Sequence, residues 1–297
     1  MFPNNRQIAE IREFYDRRVL PSKRVGQIGE KRNVAIKMIN FKTFIFLIVA
    51  IAVPASAIKG GRNATAQEAG PTVALWLDGY PYCGGTIITS KHILTVAHCI
   101  YNLVSFVRVE SADKSYNESV PKANVRVHPL FNLNLIIHDV GIIILVVELS
   151  FTDTLFAVSL ACNYPSPNTT HYITSGGPLN ETLPAPSEYL QFLQMQSITY
   201  IWCIVKSYNP LVIIRESICL LATFGNSVCG GDSGAGILVY KVVAGGTVRV
   251  ITGIISYSAY LLGTSCSGQY AVGATSVAGN FDFITNITNS INCTCVP

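Results

Sequence analysis

The sequence predicts an all-β fold, on two observations: short apolar or alternating runs separated by turn residues, and the lack of long amphipathic helical periods. In chain order the strand candidates are TVALWL at 72–77, GTIITS at 85–90 and FVRV at 106–109. VGIIILVV at 140–147, GILVYKVV at 236–243 and VRVITGIISY at 248–257 follow. The run FDFITNITNSI near the end is the one helical candidate, which predicts a short C-terminal helix. Two stretches rich in Pro, Ser, Thr and Asn, 163–172 and 176–189, read as exposed loops. The second falls near the middle of the region beyond Ile58, so the chain is expected to divide into two β halves near 165–190. No solenoid repeat or low-complexity block is present.

A hydrophobic fraction of 49% allows a substantial core. The net charge of +4 is uneven: residues 1–37 hold nine Lys/Arg and four Asp/Glu, whereas from Ile58 onward there are eleven and thirteen, about −2. That distribution removes the basis for a nucleic-acid partner. After Met38 comes a segment with Lys42, an apolar stretch from Phe44 to Val53 and a terminal Ala55-Ser56-Ala57, the pattern of a signal peptide over 38–57. Only sixteen residues separate Lys42 from Lys59 and Pro54 interrupts them, so no stable membrane span is expected. The basic extension 1–37 is either a start assigned too early or the cytoplasmic tail of a signal anchor. Sequons at Asn63, Asn117, Asn168, Asn180, Asn286 and Asn292 agree with secretion. So do nine cysteines that all lie from Cys83 onward, which suits disulfides rather than a metal. Cys293 and Cys295 form CxC and not CxxC, so no metal site is expected.

The candidate chemistry centres on CGGDSG at 229–234. A serine hydroxyl is a weak nucleophile at neutral pH; it needs a neutral imidazole to take its proton and an acid to hold that imidazole in the right tautomer. It also needs backbone N–H groups aimed at the developing oxyanion. GDSG alone is a tight turn. Two further runs give it partners: CGGTIITSKHILTVAHC, which ends at His98–Cys99, and HPLFNLNLIIHDVGIIIL, which contains Asp139.

With these three motifs the chain from Ile58 resembles the chymotrypsin/trypsin family of serine peptidases. TVAHC is similar to its histidine motif, DVGIIIL to its aspartate strand and CGGDSG to its serine loop. The order His, Asp, Ser matches too and argues against an α/β hydrolase, in which Ser comes first. The resemblance implies two antiparallel six-stranded β-barrels with the active site in the cleft between them. It implies Ser233 as nucleophile, His98 as base and then acid, and Asp139 as the acid that orients His98. Gly231 and Ser233 N–H would form the oxyanion hole. Ser256 matches the family serine that supports the buried aspartate, and Ser256 to Ser258 would pair with substrate backbone.

The same resemblance implies disulfides Cys83–Cys99, Cys203–Cys219 and Cys229–Cys266. Of Cys162, Cys293 and Cys295, one of the last two is expected to join Cys162, which leaves an odd thiol. IKGG at 58–61 resembles the amino terminus that family members expose on activation, which would pair with Asp232. Here Ala57 precedes Ile58, so signal peptidase itself is expected to free it. Ser227 stands at the pocket floor, with Ser258 and Gly268 on the walls. An uncharged floor predicts an apolar residue before the scissile bond. The chain departs from the family at Ala235, Gly236, Tyr257 and Gly141, and none of these removes a catalytic group. The overall expectation is a secreted, monomeric endopeptidase with no cofactor, whose partners are protein or peptide substrates and protein protease inhibitors. The competing class is a non-catalytic homologue that acts as a binding protein. His92, His128, His138 and His171 receive no catalytic role; His138 in particular, as a strand neighbour of Asp139, is expected to face away from it.

Overall fold

The computed structural model describes residues 58–297 except 177, 181–182, 187–189, 207–216, 224, 259–267, 269 and 290–292. The leader, the basic extension, Cys266 and Asn292 therefore lie outside the described residues, as do the side chains of Asn180 and Ser258. Among the described residues no helix is long and apolar enough to cross a membrane.

After a two-residue strand, β1 (Arg62–Asn63), seven strands build the N-terminal half. They are β2 (Thr72–Leu77), β3 (Tyr80–Thr89), β4 (His92–Thr95), β5 (Phe106–Ser111), β6 (Asn117–Pro121), β7 (Val125–Val127) and β8 (Gly141–Ile144). Their spatial order is β6-β5-β2-β3-β4-β8-β7. Period-two alternation sets the faces. Along β2, Val73 and Leu75 are 1% and 0% exposed, while Ala74 and Trp76 between and beyond them are only partly covered. The expected run 140–147 ends as strand at Ile144, because Val146 and Val147 turn to solvent.

The other half comprises β9 (Ser159–Ala161), β10 (Thr170–Ser175), a separate hairpin of β11 (Pro178–Asn180) and β12 (Leu183–Pro186), then β13 (Gln191–Ile198), β14 (Ser217–Leu221), β15 (Gly236–Val243), β16 (Gly246–Ser258), β17 (Val272–Ser276) and β18 (Cys293–Thr294). Here the order β15-β10-β13-β14-β17-β16 returns to β15 through the β15–β16 pairing, so six strands close a barrel. Ile173, Met195, Leu220, Ile237 and Ala274 fill it. The all-β prediction and the short C-terminal helix hold; one half is a closed six-stranded barrel and the other a seven-stranded half-barrel. The crossover between sheets runs through residues 145–158, ahead of the 165–190 segment in which the sequence suggested the division. The anticipated loops also hold structure, since Thr170–Ser175 is a barrel strand.

The C-terminal helix, Phe281–Thr288, stops at Asn289, whose φ of 52° is the left-handed cap that Asn tolerates. Beyond it β18 lies parallel to β9, and Cys162–Cys293 pins the pair, so Cys295 is the odd, exposed thiol. Cys83–Cys99 and Cys203–Cys219 are present as expected. Cys229 is disulfide-bonded, and its expected partner Cys266 lies outside the described residues.

Candidate active site

Asp139 is 0% exposed and accepts three hydrogen bonds. The His98 backbone N–H donates to Oδ1 at 2.8 Å, His98 Nδ1 lies 2.8 Å from Oδ2, and the Ser256 hydroxyl donates to Oδ2 at 2.6 Å. Buried carboxyl oxygens need such partners, and here the partners also fix the group's direction. His98 sits in the short helix Ala97–Ile100, which leaves the end of β4, and its imidazole is partly exposed. With Nδ1 bound to the carboxylate, Nε2 is the nitrogen left to take a proton from a nucleophile.

Ser233 comes from the other half. Its carbonyl accepts the Gly84 N–H at 2.7 Å, which ties the serine loop to β3 in the N-terminal half. Gly234 follows with φ 86°, and a Cβ there would lie 2.2 Å from the Gly84 carbonyl oxygen and 2.3 Å from Thr95 Oγ1. Thr95 in turn donates to that same carbonyl at 2.8 Å. Glycine is thus obligatory after the serine, because the loop meets β3 and β4 backbone to backbone. Sequence reasoning missed the Gly84 and Thr95 clamp. The paired glycines in CGG at 83–85 were the available signal of a close approach.

Gly231 has φ 89°, and among the described residues neither its N–H nor that of Ser233 donates to another protein group. Two unengaged amides beside a serine can receive a developing oxyanion. No hydrogen bond joins Ser233 Oγ to His98, and a nucleophile–base bond of this kind commonly tightens only on substrate binding. Asp232 is fully buried, with Oδ2 accepting the Cys229 N–H at 2.7 Å. Ile58 is likewise 0% exposed, and Lys59 and Ser227 exchange two backbone hydrogen bonds at 2.9 and 3.0 Å. The segment that begins IKGG therefore lies against the predicted pocket floor. Ser227 is buried and its hydroxyl donates to the Val228 carbonyl at 3.0 Å. Gly268, with φ 65°, packs so closely that a Cβ would stand 2.6 Å from the Asn226 carbonyl oxygen.

The departures have local reasons. At Gly141 a Cβ would lie 2.5 Å from Ile100 Cδ1, so Ile100 occupies the space an alanine would need. At Gly236 it would meet Thr86 Oγ1 at 2.4 Å, and the Tyr257 ring lies directly over Gly273. One expectation is corrected. His138 is not on a strand, since β8 begins at Gly141; with φ 50° it turns back and stacks on His128, ring centroids 4.6 Å apart. A cluster of His98, Cys83 and Cys99 brings potential metal ligands together, but the two sulfurs are joined in a disulfide and offer no thiolate.

A family model described as trypsin matches residues 58–284. The chain belongs to the trypsin family. Trypsin delta and trypsin alpha of Drosophila melanogaster are each 27% identical to it over 218 residues, which is 72% of this chain and 83% and 82% of theirs. Among solved structures, one titled HL collagenase superposes with a TM-score of 0.61 at 26% identity, covering 78% of this chain and 98% of its own. Mouse neuropsin, a serine protease expressed in the limbic system of the brain, superposes with 0.64 at 19%, covering 77% and 99%, a likeness of fold. The trypsin-family fold supports peptidase chemistry in the arrangement described.

Proposed function

We propose that this trypsin-family chain is a secreted serine endopeptidase that cleaves after apolar residues through an acyl-enzyme. The observation that carries the reading is the buried Asp139, which grips both the backbone and the ring of His98, with Ser233 tied alongside by Gly84. Ser233 Oγ attacks the scissile carbonyl while His98 Nε2 takes its proton. Gly231 and Ser233 N–H receive the oxyanion, and His98 then returns the proton to the leaving amine. Water repeats the sequence on the acyl-enzyme.

Ser227 at the pocket floor brings no charge, and its hydroxyl is spent on the Val228 carbonyl. Ser227 offers a buried cation no counter-ion, so the pocket favours an aromatic or medium aliphatic residue. Peptides that differ only before the scissile bond test this: kcat/KM for Phe or Leu should exceed that for Arg by at least about tenfold, and preferred cleavage after Arg contradicts it.

Release of Ile58 by signal peptidase would generate the new amino terminus without a zymogen stage. The burial of Ile58 and the Lys59–Ser227 pairing support a folded mature chain that includes Ile58. Amino-terminal sequencing of the secreted protein should read Ile-Lys-Gly-Gly; any other start refutes it. Asn63, Asn117, Asn168 and Asn286 are exposed, as glycan acceptors must be.

A further inference from the structure

A cavity of about 370 Å³ opens on the outer face of the N-terminal sheet, away from the pocket floor at Ser227. Alternation along β2 turns Thr72, Ala74 and Trp76 toward it while Val73 and Leu75 face the core. Register with β5 sets Arg108 opposite Trp76 and Glu110 opposite Ala74. The Arg108 guanidinium lies 4.1 Å above the Trp76 ring and reaches Glu110 only at 3.7 Å, beyond hydrogen-bond distance. Lys114 adds a second cation at the rim, and Leu190 closes the far wall from the other half of the molecule. Trp76 Nε1, shielded from solvent, has no acceptor among the described residues. A narrower hollow shares Thr72, Ala74, Gly176 and Leu190 with this cavity and runs on to Cys83, Gly84 and Gly231.

Through that hollow the cavity reaches Gly231, one of the two amides assigned to the oxyanion, and its lining includes neither Ser227 nor Gly268. Its lining holds two cations and one carboxylate, with donors in excess of acceptors. We infer that it is a subsite for an acidic side chain of the leaving-group segment, within three residues after the scissile bond, with Arg108 and Lys114 as the specificity-determining residues. The inference rests on the peptidase reading of the adjacent site. Arg108 is held over the Trp76 ring, so its fork is positioned for a carboxylate at reduced entropic cost. Glu110, at 3.7 Å from the guanidinium, offsets one of the two cations and leaves the lining net positive.

The test is a peptide set carrying Asp or Glu, or the isosteric Asn or Gln, at each of the three positions after the cleaved bond. At one of them the acid should raise kcat/KM about tenfold over its amide, and the advantage should shrink as salt rises. In the R108Q/K114Q double variant the acid-to-amide ratio should fall to about one. Equal rates for acid and amide at all three positions, or an undiminished ratio in the double variant, overturn the inference. A binding arm separates this from failure of the peptidase reading. The protein has two tryptophans, so a Ser233→Ala, Trp202→Phe protein reports through Trp76 alone. Its fluorescence should respond to the acidic peptide at lower concentration than to the amide, whether or not the wild-type protein turns over substrate. Turnover without that discrimination leaves the peptidase reading standing and sinks the subsite.

Discussion

Asp139 and Ser233 come from opposite halves of the molecule and are held in opposite ways. In the seven-stranded half, both oxygens of Asp139 are engaged, by the His98 backbone, the His98 ring and Ser256. In the closed barrel, Ser233 is fixed through its backbone, by the Gly84 N–H and by the contacts that Gly234 makes with Gly84 and Thr95. Among the described residues its hydroxyl and the two nearby amides have no protein partner. On the proposed mechanism the difference separates two tasks: the orienting group is satisfied in advance, and donors are left unengaged where charge would develop. Each half also reaches into the other, Ser256 to Asp139 and Gly84 to Ser233, so two contacts across the seam fall on residues of the proposed triad.

The largest effect expected from breaking this arrangement is on the orienting side. Asp139→Asn should lower kcat by about four orders of magnitude, because an amide at this position favours the wrong histidine tautomer. A loss below about a hundredfold would show that orientation does not depend on this carboxylate. On the opposite side the damage should be to folding. Gly234→Ala forces a Cβ into backbone atoms at a positive φ, and a destabilisation of about 3 kcal/mol or more should lower the thermal midpoint by several degrees. An unchanged midpoint would mean that the loop can move away from β3.

A third prediction sharpens the contrast through pH. His171 is fully buried inside the closed barrel, and burial pushes its pKa down to about 4. Its Nδ1 meets the Thr252 hydroxyl at 3.2 Å, while Nε2 has no partner among the described residues. Because the folded pKa lies below the unfolded value near 6.5, the unfolded chain binds the extra proton first. Stability is therefore full above about pH 6.5 and declines as the pH falls toward 4, by about 3 kcal/mol from this group. Denaturant titrations across that range should show the decline in the wild type and much less of it in His171→Gln; identical profiles would remove His171 as the cause. The smallest effect is expected at the seam. Ser256→Ala deletes one of three bonds to Asp139, and about 1–2 kcal/mol should be lost, read as roughly a tenfold fall in kcat/KM. No change in kcat/KM would make Ser256 a spectator.

The parts legible in sequence were those carried by local pattern. Alternation marked the strands, and the three motifs named His98, Asp139 and Ser233 in order. What the sequence could not show depends on residues far apart in the chain. Cys162 had two possible partners, and the choice of Cys293 rests on β18 adding in parallel beside β9. His138 looked like a strand neighbour of Asp139, yet the strand starts two residues later and the ring stacks on His128. The Gly84–Ser233 contact joins residues about 150 positions apart. The cavity under Arg108 needed the register of β2 on β5, which no single strand reveals.

The central claim is that Ser233 is a nucleophile activated across the seam. Treating the correctly processed protein with a fluorophosphonate and mapping the adduct by mass spectrometry tests it most directly. The account predicts one adduct, on Ser233, lost in Ser233→Ala and strongly slowed in Asp139→Asn. A folded protein beginning at Ile58 that takes no label, or takes it at another residue, would contradict it.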